Sequence, residues 1–228
     1  MKLLLTSNGL SNDSIAKAFQ DLVGKKPEDT KVAFISTASN VERGSKEWLI
    51  DDLYRLKSRG YIVDIVELTA LKPAEIKKIL EDSDVIFVGG GNTFYLSSWM
   101  QKTGLFKILP GLLKTKVYAG ISAGSIITGA NIRTASDALA NVEKFSDEDY
   151  ELLGPKGESS SKTLKFVNFV FRPHLGSANF PEVTKEKLAE KAKYFDVPIY
   201  ALDDNSALKI VDGKIEVVSE GEWLVLKK

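Results

Sequence analysis

Short, nearly unbroken apolar runs recur along the first half of the chain: Leu3 to Leu5, Val32 to Ile35, Ile62 to Val66, Val85 to Val88 and Val117 to Ala119. Strands covered on both faces lose the apolar–polar alternation of half-exposed ones, so each run reads as a buried strand. Between them, Ser14 to Val23, Glu42 to Arg59, Pro73 to Leu80 and Asn92 to Met100 repeat their apolar residues at helical spacing. Pro73 suits a first helical turn and Gly60 suits a helix stop. Strand and helix in alternation predict an α/β fold: a mostly parallel sheet with helices on both faces, in three layers.

The pattern weakens from Asp137 to Lys162, an acidic stretch bearing Ser and Gly, which reads as a long excursion. Regular spacing resumes with an expected strand from Leu164 to Phe171, a helix from Thr184 to Tyr194 and a strand from Ile199 to Leu202. A closing meander through Val211, Val217 and Leu224 follows, with Asp212-Gly213 as a hairpin turn. No internal repeat or linker divides the pattern, so a single domain over residues 1–228 is expected.

Composition narrows the chemistry. Hydrophobic residues make up 43% of the 228 and charged residues 27%, the balance of a core-bearing globular protein. Lys+Arg 31 equals Asp+Glu 31, so no net charge draws the chain to nucleic acid or an anionic membrane surface. With no cysteine and one histidine, thiolate chemistry and sites built on two imidazoles are excluded; no metal and no cofactor is expected. Neither a secretory leader nor a membrane-length apolar run is present, and a cytoplasmic location is the expectation.

The segment Val117-Tyr118-Ala119-Gly120-Ile121-Ser122-Ala123-Gly124-Ser125 is an apolar strand followed by G-x-S-x-G and small residues able to begin a helix. Such a strand-to-helix turn needs small neighbours at Gly120 and Gly124 and lifts the Ser122 hydroxyl above the sheet, as in a nucleophile elbow. The competing reading is a tight turn with a serine near its N-cap. A serine nucleophile needs a base, and the sole imidazole is His174, in the loop after an expected strand. An imidazole base needs an acceptor for its other N–H. Asp203, Asp204 and Asp137 compete for that role, and chain order does not choose between them.

A second feature is Val85-Ile86-Phe87-Val88-Gly89-Gly90-Gly91-Asn92-Thr93, a buried strand ending in three glycines ahead of a helix. It matches neither the dinucleotide fingerprint nor the P-loop. Beside an acyl-transfer site its N–H groups could form half of an oxyanion hole, with the Ala123 N–H as the other half; close packing of a turn is the simpler alternative.

Together, Gly89-Gly90-Gly91-Asn92-Thr93-Phe94, Gly120-Ile121-Ser122-Ala123-Gly124 and Pro173-His174 resemble the dipeptidase E (aspartyl dipeptidase) family of serine peptidases, which has cyanophycinases as relatives. Leu4-Leu5-Thr6-Ser7-Asn8, Ile132-Arg133-Thr134 with Asp137, and Ile199 to Asp204 add to the similarity. The resemblance implies a flavodoxin-like sheet related to class I glutamine amidotransferases, a Ser-His-acid triad without metal, and hydrolysis of small peptides that bear an N-terminal aspartate. It places the nucleophile on Ser122, the base on His174 and the orienting acid on Asp204, where typical members have glutamate. It also implies Gly90 and Ala123 as oxyanion donors and Asn92, Asp137 and Lys185 near the substrate, with Arg172 or Arg133 able to supply a guanidinium that Lys185 lacks. Typical members carry Trp where Ile121 stands, and arginine where Lys185 stands. Those departures keep two other readings open: a non-catalytic binder of small molecules or peptides on the same fold, and an amide hydrolase for another substrate. The expected partner is a small peptide substrate, and homodimerisation is left open.

Overall fold

The computed structural model describes residues 1–135 and 160–227. The five runs expected as strands are β1 (Lys2–Thr6), β2 (Lys31–Ile35), β3 (Ile62–Val66), β4 (Val85–Val88) and β5 (Val117–Ile121). All five run parallel in one sheet, to which β8 (Ser206–Val211) and β9 (Lys214–Ser219) add antiparallel, in the order β3-β2-β4-β5-β1-β8-β9. The β8–β9 hairpin turns at Asp212-Gly213, both with positive φ (49° and 84°), as the sequence predicts.

Helices α1 (Asp13–Val23) and α2 (Glu47–Ser58) cover one face of this sheet; α3 (Pro73–Asp82), α4 (Thr93–Lys102) and α5 (Leu105–Leu112) cover the other. Alternate strand residues divide between the two cores. Leu3, Leu5, Ala33, Ile35, Ile86 and Val88 face the α3–α5 layer, while Leu4, Phe34, Phe87 and Ala119 face α1 and α2. Phe19 of α1 sits edge-on to Phe87, with ring centroids 5.6 Å apart. Two-sided burial is why these strands read as unbroken apolar runs.

The boundaries differ from expectation where local chemistry intervenes. The helix expected from Glu42 begins only at Glu47. Helix α5 has no counterpart in the sequence reading; Pro110 stands inside it, in the last turn, where its missing N–H removes one intrahelical donor.

The larger correction concerns the last third. The stretch expected as one strand from Leu164 is a strand only at β6 (Val170–Arg172). Upstream, the Leu164 N–H donates to the Ile127 carbonyl and the Phe166 N–H to that of Thr128, so this segment lies along the turn after α6 (Ala123–Ile126). Its apolar side chains enter the core without strand pairing. Moreover, β6 pairs in parallel with β7 (Ile199–Leu202), and β10 (Trp223–Leu226) pairs antiparallel with β7. These three form a separate small sheet, and the closing meander therefore splits, with β8 and β9 in the large sheet and β10 in the small one. Helix α7 (Lys185–Ala192), capped by Thr184, packs beside β10.

Candidate active site

Two sheet edges meet at the site. In the large sheet the register sets Thr6 beside Ile121 and Val88 beside Gly120, so β1, β4 and β5 end level. Ser7, Gly89 and Ser122 are the residues that follow. In the small sheet Arg172 lies beside Ala201, which sends the loops bearing His174 and Asp204 off the same edge. Loops beyond the carboxyl ends of parallel strands are where α/β folds gather functional groups.

Ser122 occupies a strained turn, with φ 47° and ψ −106°. A non-glycine residue held there costs about 1–3 kcal/mol. The turn is clamped from β1: the Ser122 N–H donates to the Thr6 carbonyl at 3.1 Å, and the Ser125 hydroxyl donates to the same oxygen at 2.9 Å. Glycine is required on both sides. A Cβ on Gly120 would lie 2.5 Å from the Gly124 oxygen, and one on Gly124 would lie 2.1 Å from the Val88 oxygen. Gly124→Ala is therefore expected to destabilise the fold by at least about 1–3 kcal/mol, the usual cost of overpacking an interior, read as a lower denaturation midpoint. An unchanged midpoint would show that Val88 can retreat.

The side chains form one hydrogen-bonded line. Ser122 Oγ lies 2.9 Å from His174 Nε2, and His174 Nδ1 lies 2.6 Å from Asp204 Oδ1. An ionised carboxylate only accepts, so Nδ1 carries the proton and Nε2 is left to accept from the Ser122 hydroxyl. Asp204 also accepts from Ser7 Oγ at 2.7 Å. Burial pushes the Asp204 carboxyl up, but the hydrogen bond and charge of His174, with hydroxyl bonds from Ser7 and Ser177, outweigh it and hold the group below its usual range. Asp203, its competitor in the sequence, faces away: its carboxylate accepts from the Asn205 N–H, the Ser206 hydroxyl and the Glu222 N–H, organising the turn before β8.

Gly90 borders Ser122. A Cβ placed on it would sit in ordinary contact, 3.5 Å from Ser122 Cβ and 3.7 Å from the Trp48 ring of α2. Gly91, by contrast, is needed for its own turn, since φ is 125° and a Cβ would meet the Ala38 oxygen at 2.2 Å. Among the described residues neither the Gly90 nor the Ala123 N–H is given a protein acceptor, as donors awaiting an anion require. Asn92 caps α4, its side chain accepting from the Tyr95 N–H at 3.0 Å.

The cations weighed for substrate binding are engaged elsewhere. Arg172 is buried and donates to the Thr134 carbonyl. Arg133 donates to the Tyr194 carbonyl and covers the Phe195 ring. Lys185 opens α7 and forms an exposed pair with Glu222 at 2.9 Å. Asp137 lies outside the described residues. Among the described residues no group of three or more His, Asp or Glu is placed to hold a metal ion.

Three neighbours of the site carry no role in the sequence reading. Ser7 is one, present there only within the Leu4 to Asn8 stretch that adds to the family similarity. Trp48 is another. Phe180 is the third, its ring stacked on the His174 imidazole with centroids 4.1 Å apart and planes within 6°. Nothing in the local pattern distinguishes the two aromatics from core residues. One turn beyond Trp48 in α2, Asp52 is buried with its carboxylate against Gly9. Burial pushes its carboxyl up to about 7, against the opposing charge of Arg55.

Known proteins resemble this chain in sequence and in fold. The family model described as Peptidase family S51 matches residues 3–218. An uncharacterized peptidase of Listeria monocytogenes is 30% identical over 190 residues, covering 83% of this chain and 85% of the relative. Peptidase E of Streptomyces coelicolor is 29% identical over 221 residues, covering 92% and 81%. Among solved structures, a candidate peptidase E protein of Listeria monocytogenes superposes with a TM-score of 0.75 at 25% identity, over 96% of this chain and 98% of that one. A peptidase from an acI-B1 actinobacterium, at 17% identity and a TM-score of 0.60, shares the fold.

Proposed function

This chain belongs to peptidase family S51 and is a serine-type peptidase, and from that premise we propose that it is an exopeptidase for small peptides working through Ser122, His174 and Asp204. The observation that carries the reading is the line Ser122 Oγ to His174 Nε2 to Asp204 Oδ1, at 2.9 and 2.6 Å.

In this reading Ser122 Oγ attacks the scissile carbonyl while His174 Nε2 takes its proton. The developing oxyanion accepts from the Gly90 and Ala123 N–H groups. The imidazolium, stabilised by Asp204, returns the proton to the leaving amine, and the acyl-enzyme is then hydrolysed by water activated at the same nitrogen. The reacting carbonyl then lies beside Ser122 and Gly90, with Trp48 as a neighbour.

For the substrate we propose dipeptides that begin with aspartate, as in the family the motifs resemble. Of the three cations, Lys185 is held by an exposed pair, a kind of tie that contributes little and exchanges readily; a substrate carboxylate could recruit it most cheaply. The test is hydrolysis of Asp-Leu, Glu-Leu, Ala-Leu and Lys-Leu by the purified protein. Asp-Leu is expected to turn over fastest. Equal cleavage of Ala-Leu removes the aspartate preference and leaves the peptidase, whereas no turnover on any member removes dipeptides as the substrate class.

A further inference from the structure

We propose that Ser7 is a positioning residue that locks the acid–base pair to the sheet bearing the nucleophile; this rests on the Ser122 reading above. The two halves of the site come from different sheets. Ser122 follows β5 of the large sheet, while His174 and Asp204 follow β6 and β7 of the small one. Their alignment therefore needs a tie between the sheets at the site itself.

Two adjacent residues at the end of β1 provide it. Thr6 holds the nucleophile half, its carbonyl accepting from the Ser122 N–H and the Ser125 hydroxyl and its own hydroxyl donating to the Gly120 carbonyl at 2.8 Å. Ser7, fully buried, holds the other half. Its Oγ donates to Asp204 Oδ1 at 2.7 Å and accepts from the His174 N–H at 2.8 Å. A hydroxyl has one proton and two lone pairs. With its proton on Asp204, the 3.4 Å approach of Ser7 Oγ to His174 Nδ1 is contact only, and Nδ1–H is left to Asp204.

Both bonds fix something the chemistry needs. His174 has φ 66°, a left-handed backbone that a non-glycine residue adopts only when its surroundings hold it there. The bond from its N–H to Ser7 is such a hold. Asp204 Oδ1 is shared by His174 Nδ1 and Ser7 Oγ, so the carboxylate rotamer that reaches the imidazole is pinned from a second direction. Removing Ser7 Oγ takes one of the ties from the carboxylate, which keeps those of His174 and Ser177, and at the same time releases the backbone of the base.

The test is the rate at which a fluorophosphonate probe labels Ser122, a readout independent of the natural substrate. Ser7→Ala is expected to slow labelling about 10- to 100-fold, the rate equivalent of losing a hydrogen bond to a charged group. Ser7→Cys keeps the side-chain volume but is a weak donor; it should be slow too, with wild-type circular dichroism, so misfolding of the alanine variant does not decide the matter. In an Asp204→Asn background Ser7→Ala should cost less than it does in wild type, because the tie to the carboxylate is already weakened and only the hold on the His174 N–H is left to lose; a merely structural role would multiply the two losses. Labelling of either Ser7 variant at the wild-type rate, or fully multiplicative losses, overturns the role of Ser7 alone. A wild-type protein that takes no label, or label that persists in Ser122→Ala, overturns the nucleophile reading and the role of Ser7 with it.

Discussion

Ser122→Ala is expected to lower turnover on the best dipeptide substrate by a factor on the order of 10⁶, the loss seen when the nucleophile of a comparable triad is removed. The strained turn is held by the Thr6 carbonyl, by glycines at 120 and 124 and by the helix that follows, none of which involves the serine hydroxyl. The variant should consequently fold as wild type and bind substrate, isolating the chemical step. Steady-state rates with matched preparations check this, together with the absence of a fluorophosphonate mass adduct. The Gly90 and Ala123 N–H groups survive the change, so residual activity should exceed the uncatalysed reaction by roughly 10³ to 10⁴. Activity within tenfold of wild type would sink the serine mechanism, because no other hydroxyl is bonded to His174 Nε2 among the described residues.

How much of this was legible beforehand depends on the range of the interactions involved. The five parallel strands and the elbow are local signals. Each strand is an apolar run between turn residues, and the elbow is written in glycines at fixed offsets whose absent side chains make room for Gly124 and Val88 carbonyls. His174 was legible by elimination, being the one imidazole. The acid was not legible from the residues alone, because Asp203 and Asp204 are neighbours of identical type; only the family resemblance pointed to Asp204. The choice follows from β7 ending in the small sheet, where residue 203 turns back to cap the chain before β8 and residue 204 faces β6. That the last third builds a second sheet was also hidden. Leu164, Phe166 and Phe169 bury side chains against the same core that a strand would, while their backbone bonds go to a turn. Apolar periodicity reports burial and leaves the partner of the backbone undetermined. Ser7 and Trp48 were illegible for a related reason: each acts on the site across more than 40 residues of sequence, through contacts that only the folded arrangement creates. Phe180 stands close to His174 in sequence, but nothing in the local pattern says that the two rings stack.

Asp204→Asn separates the charge of the acid from its shape and is expected to lower kcat by about 10⁴, as for the equivalent change in a comparable triad. With the carboxylate present, Nδ1 must carry the imidazole proton and Nε2 must accept from Ser122. An amide can present either its oxygen or its NH2 to Nδ1. In the second orientation the proton moves to Nε2, which can then no longer take one from the hydroxyl; in the first the tautomer survives, but the imidazolium formed during attack lacks its counter-charge. Either way the loss falls on kcat, with KM nearly unchanged, since Asp204 reaches the substrate only through His174. The pH dependence has a defined sign. Asp204 is held below its usual range, so the stability its charge lends is present above the unfolded carboxylate value and is lost as pH falls through the lower folded one. The stability gap between wild type and Asp204→Asn should thus stay level from neutral pH down to about 4 and close only below that. A gap that already narrows between pH 6 and 5 would mean that Asp204 is not the hydrogen-bonded carboxylate of the site, and a kcat within tenfold of wild type would remove it from the reaction.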